Sequence, residues 1–329
     1  MSHERYSRQE LFQPIGKEGQ KRLSEKHVLV IGAGALGTGN AEIMVRAGVG
    51  KVTVVDRDYV EWSNLQRQQL YGEEEARNRM PKAAAAEQKL RAMNSDVEVE
   101  GRIMDVTPDE IESLTDGVDL ILDSTDNFDI RMMINDISQK RNIPWIYGAC
   151  VGSYGLSYAI RPGKTPCLSC LLETVPLGGA ASDTVGIIAP AVQMVVSYQT
   201  AEALKLLVGD EDALSGKLVS FDLWTNQHTA VRVDAVKKKD CPSCGEKRTY
   251  PYLSASNLSK TAVLCGRDTV QIRPPAKVER DLLKLAESLA QHGGKVEQNP
   301  YLVSFELDHR RIVIFQDGRV LVHGTKDVS

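Results

Sequence analysis

The stretch "HVLVIGAGALGTGNAEIMVRAGVGKVTVVD", His27 to Asp56, constrains the fold of this chain more than any other. A continuous apolar run, His27–Ile31, reads as a strand buried on both faces. The Gly-rich turn that follows opens a helix, which Gly48 stops. A second apolar run, Lys51–Asp56, then closes a βαβ unit, whose crossover is right-handed and whose strands are parallel. The pattern continues downstream. "PKAAAAEQKLRAMN" reads as a helix with Pro81 in its first turn, and "VEVEGRIM" alternates as a strand. "TPDEIESLT" is a short helix with Thr107 as N-cap and Pro108 at its first position. "VDLILDSTDN" is an apolar strand ending in acids, "IRMMINDISQKRN" a helix and "IPWIYGAC" a further strand. Such alternation predicts a doubly wound, mostly parallel Rossmann-like α/β sheet.

Beyond Cys150 the pattern changes. "GSYGLSYAIRPG" reads as strand and turn. "PAVQMVVSYQTAEALKLLVG" is a long helix closed by Gly209, and "GKLVSFDLWTNQHTAVRV" is a hairpin. The last eighty or so residues read strand, helix, strand, strand. We therefore expect residues 1–247 to form one domain and 248–329 a small α+β domain of unassigned role. A length of 329 residues, 42% of them hydrophobic, suffices for both cores. The net charge of −4 and the lack of any basic-aromatic array exclude a general nucleic-acid surface; the short run Lys237–Lys239 reads as a solvated loop. The polar N-terminus has no signal core, and no apolar stretch is long enough to span a membrane. A cytoplasmic location is expected.

Gly32, Gly34 and Gly37, with Ala35 between them, fit G-x-G-x-x-G between a strand and a helix, the pattern of a phosphate-binding turn. Asp56, closing the second strand, is placed to accept from ribose hydroxyls. These features alone leave the nucleotide open, and NAD(P)-dependent hydride transfer is one alternative. None of the six histidines falls at the carboxyl end of a core strand, and no Tyr-x-x-x-Lys pair accompanies Tyr147 or Tyr154, which weakens that alternative. Asn64, Arg67 and Gln68 follow the second strand, Lys82 opens the next helix, and Asp123 and Asp126 end "VDLILDSTD". All face the sheet edge where open α/β folds bind ligands. Arg67 and Lys82 suit a triphosphate, and Asp126 or Asp123 suits Mg²⁺ held through one or two carboxylates. Cys167/Cys170 and Cys241/Cys244 are two C-x-x-C pairs, the donor set of a structural Zn²⁺ clip between distant segments; a redox dithiol is the alternative. Cys150 and Cys265 read as buried thiols.

"RYSRQ", "GAGALG", "VVDRDYVEWSNLQRQ", "MPK", "DSTDN" and the two C-x-x-C pairs occur in this order between about Glu4 and Gly245. Together they resemble the ThiF/MoeB/HesA adenylyltransferases, relatives of the ubiquitin-activating enzymes. The resemblance implies ATP-dependent activation of the C-terminal Gly-Gly carboxylate of a ubiquitin-like sulfur-carrier protein as an acyl-adenylate. It implies a phosphate loop at Gly32–Gly37, ribose on Asp56, triphosphate on Asn64, Arg67 and Lys82, and Mg²⁺ on Asp126. It also implies a homodimer in which Arg8 of one subunit reaches the ATP of the other, and a sulfur donor of the cysteine desulfurase or rhodanese type. The carrier belongs to the thiamine pathway or is a molybdopterin-synthase small subunit; the C-terminal extension favours thiamine. One departure stands out. Many relatives carry a cysteine before the long helix, where Ser182 stands here, and a hydroxyl cannot form a persulfide. Either the chemistry stops at adenylation or that residue has been replaced. The Gly/Ala/Ser run between Pro176 and Thr184 reads as a flexible crossover. A catalytically silent nucleotide-sensing scaffold remains the third alternative.

Overall fold

The computed structural model describes residues 4–172, 185–254, 261–263, 269–272, 278–307 and 310–325. Ser182, Cys265 and the segment from Pro176 to Thr184 lie outside the described residues. The chain divides into two compact units, Met1–Ala76 with Pro81–Asn257, and Arg77–Met80 with Leu258–Ser329.

The first unit begins with two short helices, α1 (Ser7–Glu10) and α2 (Gly16–Leu23). There follow β1 (His27–Ile31), α3 (Ala35–Ala47), β2 (Lys51–Asp56), α4 (Glu73–Arg77), α5 (Lys82–Met93), β3 (Glu98–Ile103), α6 (Pro108–Leu114), β4 (Leu120–Asp123), α7 (Phe128–Arg141) and β5 (Trp145–Val151). After β6 (Tyr154–Ile160) and α8 (Leu168–Leu172) come α9 (Ala189–Val208), β7 (Lys217–Asp222) and β8 (Gln227–Arg232). One eight-stranded sheet results, in the order β3-β2-β1-β4-β5-β6-β7-β8. The pairings from β3 through β5 are parallel, and those from β5 through β8 are antiparallel.

The parallel half is doubly wound, as expected. Strand order reverses between β1 and β4, so the switch point, where such sheets open a crevice, lies between the phosphate turn and the acidic end of β4. β1 and β4 are almost fully buried, which explains their unbroken apolar sequences. Gly48 and Gly209 take left-handed conformations at the ends of α3 and α9, the C-cap role their positions suggested. Pro81 is the N-cap of α5 rather than a residue of its first turn, and its bridge to Tyr59 fixes where Lys82 starts. α9 packs Ala191, Val192, Val195 and Val196 against Leu36 and Phe221, closing the core behind α3. Among the described residues, no helix is long and apolar enough to cross a membrane.

The second unit is richer in strands than the sequence suggested. Its six-stranded antiparallel sheet runs β11-β12-β13-β14-β10-β9. The strands are β9 (Thr261–Val263), β10 (Thr269–Ile272), β11 (Lys295–Gln298), β12 (Leu302–Leu307), β13 (Arg310–Phe315) and β14 (Val320–His323); α10 (Leu282–Ala290) precedes β11. "TAVLCGRDTVQIRP" and "RRIVIFQDGRVLVHG", each expected as one strand, both divide into two. In the second, Gly318 at φ +84° turns the chain back.

Candidate active site

The phosphate turn is built by three glycines with different duties. Gly32 has φ +99°, and a Cβ there would meet Ser124 O at 2.5 Å. At Gly37 a Cβ would lie 1.8 Å from Gly32 O. Both glycines therefore serve the tight turn and its packing on β4. Gly34, the N-cap of α3, is different: a Cβ there would meet nothing nearer than Gln68 Nε2, at 3.8 Å. The missing side chain leaves open space over the helix N-terminus. The first helical bond closes from Thr38 N–H to Gly34 O, so the N–H groups of Ala35 and its neighbours precede the ladder and favour an anion. Asp56 holds this turn from β2. Its Oδ2 accepts from Ala33 N–H at 2.6 Å and its Oδ1 from Asp58 N–H at 2.7 Å. Burial pushes its carboxyl above the ordinary range, opposed by the charge of Lys82.

Facing Gly34 is the polar turn after β2. Asn64 is fully buried; its Oδ1 accepts from Glu61 N–H at 2.9 Å, while its Nδ2 has no hydrogen-bond partner. Gln68 is 3% exposed, and its Oε1 likewise has none. Buried amides are nearly always satisfied, so these two orphaned atoms fit a polar ligand, and the Gln68 side chain lies beside the open face of Gly34. Arg67 is half-buried and donates from Nη1 to Ser63 O at 2.8 Å. Lys82 is 4% exposed. Its N–H bonds Asp58 O at 2.9 Å, and its Nζ stands 3.7 Å from Asp58 Oδ2. A buried ammonium needs an anion, and Asp58 and Asp56 supply it in the absence of ligand.

The two acids after β4 separate into distinct roles. Asp123 is fully buried and receives Arg131 Nε at 2.9 Å and Thr125 N–H at 3.1 Å. Burial raises its carboxyl pKa and Arg131 opposes that rise. It is an internal counter-ion and is not presented to a ligand. Asp126 is exposed and has no hydrogen-bond or ion-pair partner among the described residues. Neither acid caps α7: Asn127 does, accepting Ile130 N–H at 3.0 Å.

Several participants were invisible in the sequence. Arg57 pairs with Asp105 at 3.2 Å within electrostatic reach of Asp126. Gln199 of α9 donates to Asp123 O at 2.7 Å and Ile146 O at 3.1 Å, bridging β4 and β5 where their pairing ends. Its Oε1 accepts from Asn40 of α3 at 2.8 Å. Gly148 makes room for it, since a Cβ there would lie 2.4 Å from Gln199 Nε2. One of two glutamines in a largely apolar helix, it stood out in no local pattern.

Arg8 is exposed and sits at the opposite edge of the sheet. Gln9 Nε2 donates to Ala47 O at 2.9 Å, and Tyr6 OH accepts from Asn94 at 2.8 Å, beside the end of α3. The 13 residues of α3 put about 20 Å between that end and Gly34, so Arg8 does not reach the phosphate turn of its own chain. The exposed Leu11 and Phe12 adjoin it, and Trp62, 56% exposed, adjoins the polar turn.

Cys167, Cys170, Cys241 and Cys244 converge, all buried, with their sulfurs within 4.8 Å of one another. Cys167–Cys241 and Cys170–Cys244 are 3.6 Å apart and Cys167–Cys170 is 4.0 Å. A tetrahedral ion with metal–sulfur bonds of about 2.3 Å spaces its sulfurs by about 3.8 Å. By donor set and spacing the cluster can hold a metal ion.

The model of the ThiF family matches residues 6–243. The sulfur carrier protein ThiS adenylyltransferase of Bacillus subtilis (strain 168) is 55% identical over 325 residues, 99% of this chain and 96% of that protein. The SAMP-activating enzyme E1 of Haloferax volcanii is 36% identical over 245 residues, 74% of this chain and 89% of that protein. Among solved structures, E. coli MccB with ATP superposes with a TM-score of 0.63 at 21% identity, over 73% of this chain and 74% of that one; this likeness concerns the fold alone.

Proposed function

The chain belongs to the ThiF family, and on that premise we propose that it adenylates the C-terminal carboxylate of a ThiS-like sulfur carrier with ATP. Two buried side-chain amide atoms without partners, Asn64 Nδ2 and Gln68 Oε1, with the Gln68 side chain beside the open face of Gly34, carry this reading. The match to the Bacillus ThiS adenylyltransferase supports the thiamine-type carrier, because it extends through the C-terminal unit. A molybdopterin-type carrier is the second reading, favoured by the relatives named MOCS3, which match about three quarters of this chain.

A carboxylate has a reference pKa near 4, so the carrier's terminus is already a nucleophile and no general base is needed. Alignment for in-line attack on the α-phosphate and neutralisation of phosphate charge remain. The N–H groups opening α3 hold phosphate oxygens. Arg67 and Lys82 balance the triphosphate, Lys82 turning from Asp58 towards it. Asp56 keeps acceptor capacity for ribose hydroxyls after taking its two N–H bonds, since a carboxylate offers about four acceptor sites. Asp126 would hold Mg²⁺, and the ion would supply charge neutralisation for the leaving pyrophosphate. Zn²⁺ in the four-cysteine cluster is structural, its ligands being buried with no open position. Arg8 enters the site of a partner copy in a homodimer; its distance from its own phosphate turn and the exposed Leu11, Phe12 and Trp62 support this. Sulfur arrives from a separate donor protein, after adenylation. The test is trapping with hydroxylamine: the carrier should become the hydroxamate, seen by intact mass, only with ATP, Mg²⁺ and this protein. An unmodified carrier under these conditions refutes the proposal.

A further inference from the structure

Beyond balancing Asp123, Arg131 organises the loop before α7. Its Nε donates to Asp123 Oδ2 at 2.9 Å, and its Nη2 donates to Thr125 O at 2.6 Å and Gly148 O at 3.3 Å. Its guanidinium lies 5.0 Å above the ring of Tyr147. Asp123 Oδ1 accepts Thr125 N–H, and Asn127 N–H donates to Thr125 Oγ1 at 3.0 Å. The N–H, the C=O and the hydroxyl of Thr125 are thus all held, the first two by one buried ion pair. The next residue is Asp126. The two arginines within electrostatic reach of Asp126 are each engaged elsewhere, Arg57 with Asp105 and Arg131 with Asp123.

We propose that Arg131 is a positioning residue of the adenylation site: by clamping Thr125 and neutralising Asp123, it fixes the Asp126 carboxylate where it receives the divalent cation of the nucleotide. This rests on the adenylation reading above. The planar fork matters as well as the charge. Three acceptors in three directions suit a guanidinium, whereas a lysine ammonium on a flexible stem matches them poorly. The clamp acts through backbone placement, so its loss should move the metal requirement and leave metal-free nucleotide binding intact.

The experiment compares Arg131→Lys with the charge-neutral pair Asp123→Asn/Arg131→Gln, which removes the clamp without stranding a buried ion. ATP binding is measured by calorimetry in EDTA and over a Mg²⁺ titration, with melting temperature recorded for each variant. Both variants should bind ATP in EDTA within twofold of the unaltered protein. The Mg²⁺ concentration giving half of the binding enhancement should rise at least tenfold, and pyrophosphate exchange should recover at high Mg²⁺. An unchanged Mg²⁺ requirement with only a lowered melting temperature would overturn the proposal. An equal loss of ATP affinity with and without Mg²⁺ would also overturn it, because it would put Arg131 on the nucleotide. If Arg131→Lys does not fold, the neutral pair decides on the same two measurements. Absence of Mg²⁺-dependent ATP binding in the unaltered protein is a distinct result, which would overturn the adenylation reading itself.

Discussion

Gly34→Ala set against Gly37→Ala separates binding from folding within a single turn. A methyl at Gly37 would lie 1.8 Å from Gly32 O, with no flexible side chain to yield. Backbone must move, and a cost of several kcal/mol is expected, in the range of the worst overpacking. A methyl at Gly34 meets nothing within 3.8 Å; its φ of −85° suits alanine, while its ψ of −145° lies just past the β region and adds some backbone strain. Folding stability should fall by about 1–2 kcal/mol from that strain, partly offset by the smaller unfolded-state entropy of alanine, and by clearly less than at Gly37. The same methyl fills the space through which a phosphate approaches the N–H groups of α3. Losing one hydrogen bond to a charged group costs about 1.5–3 kcal/mol, which is roughly a ten- to hundredfold loss of ATP affinity. Thermal melting and ATP calorimetry read the two effects independently. Gly34→Ala should melt within a few degrees of the parent and bind ATP weakly; Gly37→Ala should melt well below it. ATP affinity within twofold of the parent in Gly34→Ala would refute the placement of phosphate at this turn.

Further expectations follow from the same geometry. Arg8→Ala and Asp126→Ala should each lack exchange activity, while mixing the two should restore about a quarter of it, since half of the random dimers carry one intact site; failure of mixed dimers to regain activity would contradict a trans role for Arg8. Removing metal from the cysteine cluster opens a loop whose ends are 74 residues apart, worth roughly 4 kcal/mol by loop entropy, so the melting temperature should fall by on the order of 10 °C; no change after verified metal loss would exclude a structural role. Burial pushes the Cys150 thiol up to about 12. Cys150 is half-buried rather than fully buried as the sequence suggested; the thiolate is the reactive form, so alkylation mapped to it should be slow at neutral pH and rise about tenfold per pH unit up to that value, and rapid labelling near pH 8 would contradict this desolvation.

The parallel core was legible because its central strands, β1 and β4, are buried on both faces and read as unbroken apolar runs, while the edge strand β3 shows as an alternation and Gly48 marks the end of α3. The phosphate turn was legible for the same reason: its glycines are set by local sterics, Gly32 through its positive φ and Gly37 through contact with Gly32 itself. The C-terminal unit was less so. β11, "KVEQ", is four residues long with polar ends, too short to show a period. The turn at Asp317-Gly318 is a hairpin signal that lay inside an apolar stretch read as a single strand. The site shows the same divide. Asp123 and Asp126 look alike in sequence, three residues apart in "DSTD", and only the Arg131 ion pair distinguishes the buried counter-ion from the exposed acid. That pairing depends on where α7 begins, which Asn127 sets. Gln199, seventy-six residues from the carbonyl it bonds, belongs to a contact that no local pattern encodes.

The central claim, that this sheet edge joins ATP to a carrier carboxylate, is tested most directly by isotope exchange between pyrophosphate and ATP. With a Gly-Gly-terminated thiamine-type carrier and Mg²⁺, labelled pyrophosphate should appear in ATP; without the carrier, or with its terminal glycine removed, it should not. Exchange that is absent with every Gly-Gly-terminated carrier, or that proceeds at the same rate without one, would contradict the account.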